Sequence, residues 1–133
     1  MSEGFKLEIV NPEKSFLSKD GVSEVVVPAF EGDMGILKDH ISIISFLRPG
    51  LLRIVDSKSS EETFYVEDGI IEFKNNCLSV LTSNIFDIKK IDKNKVRDIL
   101  IEAEKESQNQ DMSDQAKYLV DHKIEVLKSL TLN

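Results

Sequence analysis

Cysteine, histidine, positive charge and long apolar runs are all in short supply in this chain of 133 residues, and each shortage closes off a class of function. Cys77 is the only cysteine, so no internal disulfide can form, and such usage points to a reducing compartment. The two histidines, His40 and His122, lie far apart in sequence, and no His or Cys pair has the spacing of a metal site. Lys and Arg number 17 against 24 Asp and Glu, and the formal charge of −7 argues against a surface that neutralises nucleic-acid phosphates. No run approaches the roughly 20 apolar residues of a membrane-spanning helix. The first residues, Met1-Ser2-Glu3-Gly4, lack the basic and apolar regions of a signal peptide. A soluble protein is expected, cytoplasmic or peripheral on a membrane complex. Triad spacings and phosphate-cradling glycine motifs are missing too, which leaves no sign of an enzyme.

What is present is a change of periodicity near Ile91. Before it, apolar residues recur with period two: Phe5, Leu7 and Ile9 alternate with Lys6 and Glu8, Leu52 and Ile54 flank Arg53, and Phe64 and Val66 flank Tyr65. Such alternation marks half-buried strands. Asn11-Pro12, Lys19-Asp20-Gly21, residues 56–60 and Asn75-Asn76 read as turns, the last as a two-residue hairpin in which Asn takes the left-handed conformation. Asp68-Gly69 reads as a bulge inside one long strand. Many short strands so punctuated predict an antiparallel β-sandwich or flattened barrel.

Beyond Ile91 the period is helical. Asp92 can cap a first helix with a stripe of Val96, Ile99, Leu100 and Ala103, and Asp111 or Ser113 a second with Ala116, Leu119, Val120, Ile124 and Leu127. The short polar link over residues 106–110 makes the pair an antiparallel hairpin. The expected architecture is therefore α+β, with a sandwich over residues 1–90 and a helical hairpin over residues 91–133. Helices of this length are marginal alone, so the hairpin must borrow stability from the sandwich or from another protein.

The most informative stretch runs Val27-Pro28-Ala29-Phe30-Glu31-Gly32-Asp33-Met34-Gly35-Ile36-Leu37-Lys38-Asp39-His40 and closes at Leu47-Arg48-Pro49-Gly50. Gly32 and Gly35 flank an acidic tip and suit positive φ or a bulge. The apolar run from Ile41 to Leu47 is expected to be buried. This stretch resembles the signature of the epsilon subunit family of F-type ATP synthases, called delta in mitochondria, in the order and spacing of its glycines, histidine and Pro-Gly. Phe5 to Val10 and Phe64 to Gly69 resemble two of that family's strands. Lys38-Asp39 stands where the family commonly has Pro-Gly, and Asp68 where it often has a glycine.

Glu31, Asp33, Asp39 and His40 can be read from the residues alone as an acid-base or metal cluster, or as an acidic surface loop, the blander and preferred of the two. The resemblance implies a third role, in which Glu31, Asp33 and His40 dock on the membrane rotor ring of c subunits. Cys77 reads as a sheet cysteine rather than a nucleophile, and His122 as a solvated residue on the flank of the second helix. The family's regulatory ATP site, where it exists, is signalled at the entry to the first helix. Here Ile91 and Asp92 match that signal, Lys95 replaces an arginine and Val96 an alanine. Lysine lacks the planar fork that grips phosphate, so no nucleotide site or other cofactor is assigned.

The resemblance implies a non-catalytic stalk subunit of a rotary ATP synthase, peripheral on the cytoplasmic face of the bacterial inner membrane. Its sandwich would pack on the gamma shaft subunit and the ring, and its hairpin would reach the catalytic alpha and beta subunits to inhibit hydrolysis. The alternative is a free-standing β module that binds a nucleotide or small ligand beneath a helical lid.

Overall fold

The computed structural model describes residues 4–13 and 15–131. Nine strands precede two helices: β1 (Phe5–Val10), β2 (Ser15–Ala29), β3 (Gly32–Leu37), β4 (Ile43–Leu47), β5 (Gly50–Asp56), β6 (Glu61–Val66), β7 (Gly69–Lys74), β8 (Cys77–Thr82), β9 (Ile85–Asp87), α1 (Lys93–Ser107) and α2 (Asp114–Thr131). One layer is ordered β1-β8-β7-β4, the other β3-β2-β5-β6-β9. The 15-residue β2 belongs to both. Its first half pairs with β1, its second half lies between β3 and β5, and its last residue, Ala29, faces Leu47 of β4. Every ladder is antiparallel except β1 with β8, where Leu7 faces Leu78 and Ile9 faces Val80.

The period-two residues turn inward as their alternation requires. Leu7, Ile9, Val25, Val27, Leu52, Ile54, Phe64, Val66, Ile71, Phe73, Leu78 and Val80 fill one core between the layers. Edge-to-face ring pairs, Phe5 with Phe73 and Phe16 with Phe64, add shape-specific contacts to that burial. Asn75 and Asn76 take φ of 52° and 54° and make the expected two-residue hairpin between β7 and β8. In the β5–β6 turn the Asp56 carboxylate accepts from Lys58 N and Ser60 N, and these bonds, with Lys19 nearby, hold its pKa below the usual value.

Four expectations are corrected. Lys19-Asp20-Gly21 is not a turn: β2 runs straight through it, and the left-handed Gly21, at φ 67°, accompanies irregular register on both flanks. Asp68-Gly69 is not a bulge within one strand. The chain leaves one layer after Val66 and enters the other at Gly69, because β6 pairs with β5 and β9 whereas β7 pairs with β4 and β8. Gly35 is an ordinary strand residue opposite Val26; of the two tip glycines only Gly32, at φ 147°, has a positive φ. Finally, the Ile41 to Leu47 run is not buried as a whole: Leu47 is, but Ile41, Ile44 and Phe46 stand in solvent.

The helices form the expected hairpin. Asp92 caps α1 by accepting from Asn94 N, and Ser113 rather than Asp111 caps α2, accepting from Ala116 N at 3.1 Å. Both helices lie on the outer face of β5, β6 and β9, where Leu51, Tyr65 and Phe86 meet Val96, Ala103, Ile124 and Leu127 in a second core. That footing supplies the stability the helices lack alone.

Candidate interaction surfaces

The outer face of the β1-β8-β7-β4 layer carries an exposed apolar row. Register aligns Phe46 with Ile70, Ile70 with Leu81 and Leu81 with Val10, so one row crosses four strands. Their exposures are 65, 41, 52 and 37 %, and Ile44, two residues before Phe46 on the same face, reaches 70 %. Sequence reasoning missed this row, although a signal existed. Adjacent apolar pairs, Ile43-Ile44, Ile70-Ile71 and Val80-Leu81, give both faces of these strands an apolar residue, the pattern of a sheet covered on both sides.

The residues read as one acidic loop are pulled apart. Glu31 sits on the β2–β3 turn and Asp33 next to it in β3, whereas Asp39 and His40 lie past the other end of that strand, roughly 20 Å of backbone away. Among the described residues β3 pairs only with β2, so Glu31 to His40 runs along a sheet edge, with its charged residues at the two ends, rather than forming one tip. Asp39 adopts φ 65°, the left-handed conformation a glycine would take, and Asn76 secures it: Asp39 N donates to Asn76 Oδ1 at 2.7 Å and Asn76 Nδ2 donates to Asp39 Oδ1 at 2.9 Å. His40 packs edge-on against Phe73.

At the other end the turn is tied to the hairpin. Tyr118 of α2 donates its hydroxyl to Phe30 O at 2.7 Å, and Arg48 Nη1 donates to that hydroxyl at 2.8 Å. Arg48 Nη2 stands 4.0 Å from Asp33 Oδ1. His122 is not a solvated flank residue: it stacks on Tyr118, lies 3.8 Å from Glu125, and lines a cleft with Arg48 and Asp33. Across the hairpin, Lys123 pairs with Glu67, which also accepts from Tyr65 Oη at 3.2 Å. Burial, reinforced by Glu67, holds the Tyr65 phenol protonated far above its usual range.

A cleft of about 570 Å³ opens where β9 meets α1. Ile91, Asp92 and Lys95 line it, with Glu62, Asp87 and Lys90. Asp92 is already engaged as the α1 cap, and the Lys95 ammonium lies 4.3 Å over the Phe86 ring. Cys77 is half-buried at the start of β8.

Residues 4–88 match the family model described as the β-sandwich domain of the ATP synthase delta/epsilon chain. The chain belongs to the ATP synthase delta/epsilon family. An ATP synthase epsilon chain from Pelagibacter ubique is 71 % identical over 130 residues, covering 98 % of this chain and 99 % of its own length. A sodium-ion-specific ATP synthase epsilon chain from Propionigenium modestum is 35 % identical over 88 residues, 66 % of this chain and 63 % of its own. Among solved structures, a chain of the Euglena gracilis mitochondrial ATP synthase (OSCP/F1/c-ring) shares the fold with a TM-score of 0.74 at 19 % identity, covering 97 % of this chain and 80 % of its own. A chain of the Tetrahymena thermophila mitochondrial ATP synthase central stalk and c-ring does so with a TM-score of 0.66 at 18 % identity, covering 98 % of each. As an epsilon-family member this is a structural subunit of a membrane-associated ATP synthase, not a catalytic one. No helix among the described residues is long and apolar enough to cross a membrane.

Proposed function

We propose that this epsilon-family subunit is a rotor element of the central stalk, passing ring rotation to the shaft while its hairpin restrains ATP hydrolysis. The observation that carries the reading is the row Phe46, Ile70, Leu81 and Val10. An open apolar stripe on an acidic chain is a surface built for a partner, and the gamma shaft subunit is the partner assigned to it. The β3 edge, with Glu31, Asp33 and His40, is the polar contact to the ring of c subunits. Charge pairing along such an edge fixes register more than affinity. Because the edge is long, Asp33 and His40 would meet different parts of the ring.

The hairpin would leave its footing and extend along the shaft toward the catalytic alpha and beta subunits, blocking rotation in the hydrolysis direction. Two polar ties at its rim, Tyr118 with Phe30 and Lys123 with Glu67, around a small apolar footing, support a reversible docking. The complex would lie on the cytoplasmic face of the bacterial inner membrane. ATP would bind this chain weakly or not at all, since the cleft at Ile91 and Asp92 carries three carboxylates and no arginine. The rival, a free-standing ligand-binding module, calls for polar groups converging on a cavity inside the sandwich, and the interior is filled with apolar side chains.

Phe46→Glu and Asp33→Lys separate the two contacts. The first should abolish co-purification with the shaft subunit, and the second should weaken association with purified ring while leaving shaft binding intact. Shaft binding by Phe46→Glu at wild-type strength would remove the sheet face from the interface, and unchanged ring binding by Asp33→Lys would remove that residue's docking role.

A further inference from the structure

We propose that Arg48 is shared between the hairpin and the β3 edge, so that Asp33 and Tyr118 compete for one guanidinium and the state of the edge sets the hold on the hairpin. Its link to ring docking rests on the role proposed for Asp33 above; the competition itself is a property of the single chain. The geometry is unequal. Arg48 Nη1 is hydrogen-bonded to the Tyr118 hydroxyl at 2.8 Å, whereas Nη2 stands 4.0 Å from Asp33 Oδ1, beyond hydrogen-bond reach. Closing on the carboxylate in the two-pronged manner that guanidinium favours would pull Arg48 away from Tyr118. The turn is tied in as well. Phe30 accepts from Tyr118 through its carbonyl at 2.7 Å and donates through its N–H to Phe46 O at 2.8 Å, while Arg48 N donates to Pro28 O at 2.9 Å. One residue of the β2–β3 turn, through the two peptides on either side of its Cα, thus touches both the hairpin and the strand that carries the open apolar row.

The direction of the coupling follows. A partner that takes Asp33 removes the competitor, leaves Arg48 to Tyr118 and holds the hairpin down. When the hairpin leaves, Arg48 is free to cover Asp33 and withdraws it from a partner. Linkage makes the two effects equal in free energy.

The test uses the isolated full-length chain and reads hairpin opening as amide hydrogen exchange at Val120 and Leu127 on α2. Tyr118→Phe keeps the ring and removes the hydroxyl, and should speed exchange by about tenfold, the loss of one neutral and one charge-assisted bond at a half-exposed site. Asp33→Asn should slow it by about threefold, and should have no effect in the Tyr118→Phe background. Lys123→Met, which loosens the opposite rim, should speed exchange yet leave the Asp33 effect intact. Faster exchange in Asp33→Asn would mean that the carboxylate orients Arg48 toward Tyr118, and either that result or an additive double variant would overturn the competition. No ring is present in this experiment, so its failure is separate from a failure of Asp33 to dock.

Discussion

Gly69 leaves no room for a side chain. A Cβ added there would lie 1.9 Å from Leu81 O and 2.8 Å from Thr82 Cα, both backbone, so relief requires moving β8. Around it the chain changes layers, and Thr82 Oγ1 gathers the carbonyls of Glu67 and Asn84, each at 3.0 Å. Gly69→Ala is expected to destabilise the domain by about 3 kcal/mol or more, measurable by urea denaturation. Tyr65 gives a pH signature instead. Its folded pKa is raised, so its contribution is complete below the ordinary tyrosine value of about 10 and is lost as pH rises toward the folded value. Hairpin docking should weaken above about pH 10. Spectrophotometric titration should find one tyrosine of the full chain resisting ionisation, and the same residue titrating lower once the helices are removed.

Among the elements, the hairpin and its footing are separable in principle. Among the described residues the sandwich core between the layers contains no helix residue, and the second core uses the outward side of β5, β6 and β9. A chain ending at residue 90 should fold with native β circular dichroism, melt lower, and bind an apolar dye through the uncovered Leu51, Tyr65 and Phe86. Shaft binding should persist while restraint of hydrolysis is lost; an unfolded spectrum would sink the two-position hairpin. The elements were also the level at which sequence spoke most clearly. Alternation in Phe5-Leu7-Ile9 and capping at Asp92 are local, and both were readable. Glycine is ambiguous, because positive φ at Gly21 serves a bulge inside β2 as well as it serves a turn. Burial of Ile44 and Phe46 could not be told from exposure on a face that awaits a partner, since hydrophobicity is the same in either case. Nothing local joins Arg48 to Tyr118, 70 positions apart, so their contact emerges only from the packing of α2.

The whole molecule has one layer clad by its own helices and the other left bare. An isolated chain in this state should self-associate or bind apolar dye through the bare side, and Ile70→Glu should abolish that with little change in melting temperature, because Ile70 faces outward. Dye binding unchanged in the variant would point to the hairpin footing as its source. The single parallel ladder, β1 with β8, has a further consequence for how the chain is made. β1 can zip onto the adjacent β2 as soon as both leave the ribosome, but its other edge stays unpaired until β8 emerges some 70 residues later. Most of the sandwich is therefore synthesised with an open strand edge at its first element. The slow step of folding should be the capture of β1 by a strand far along the chain, and the nascent chain is most prone to aggregation before that capture occurs.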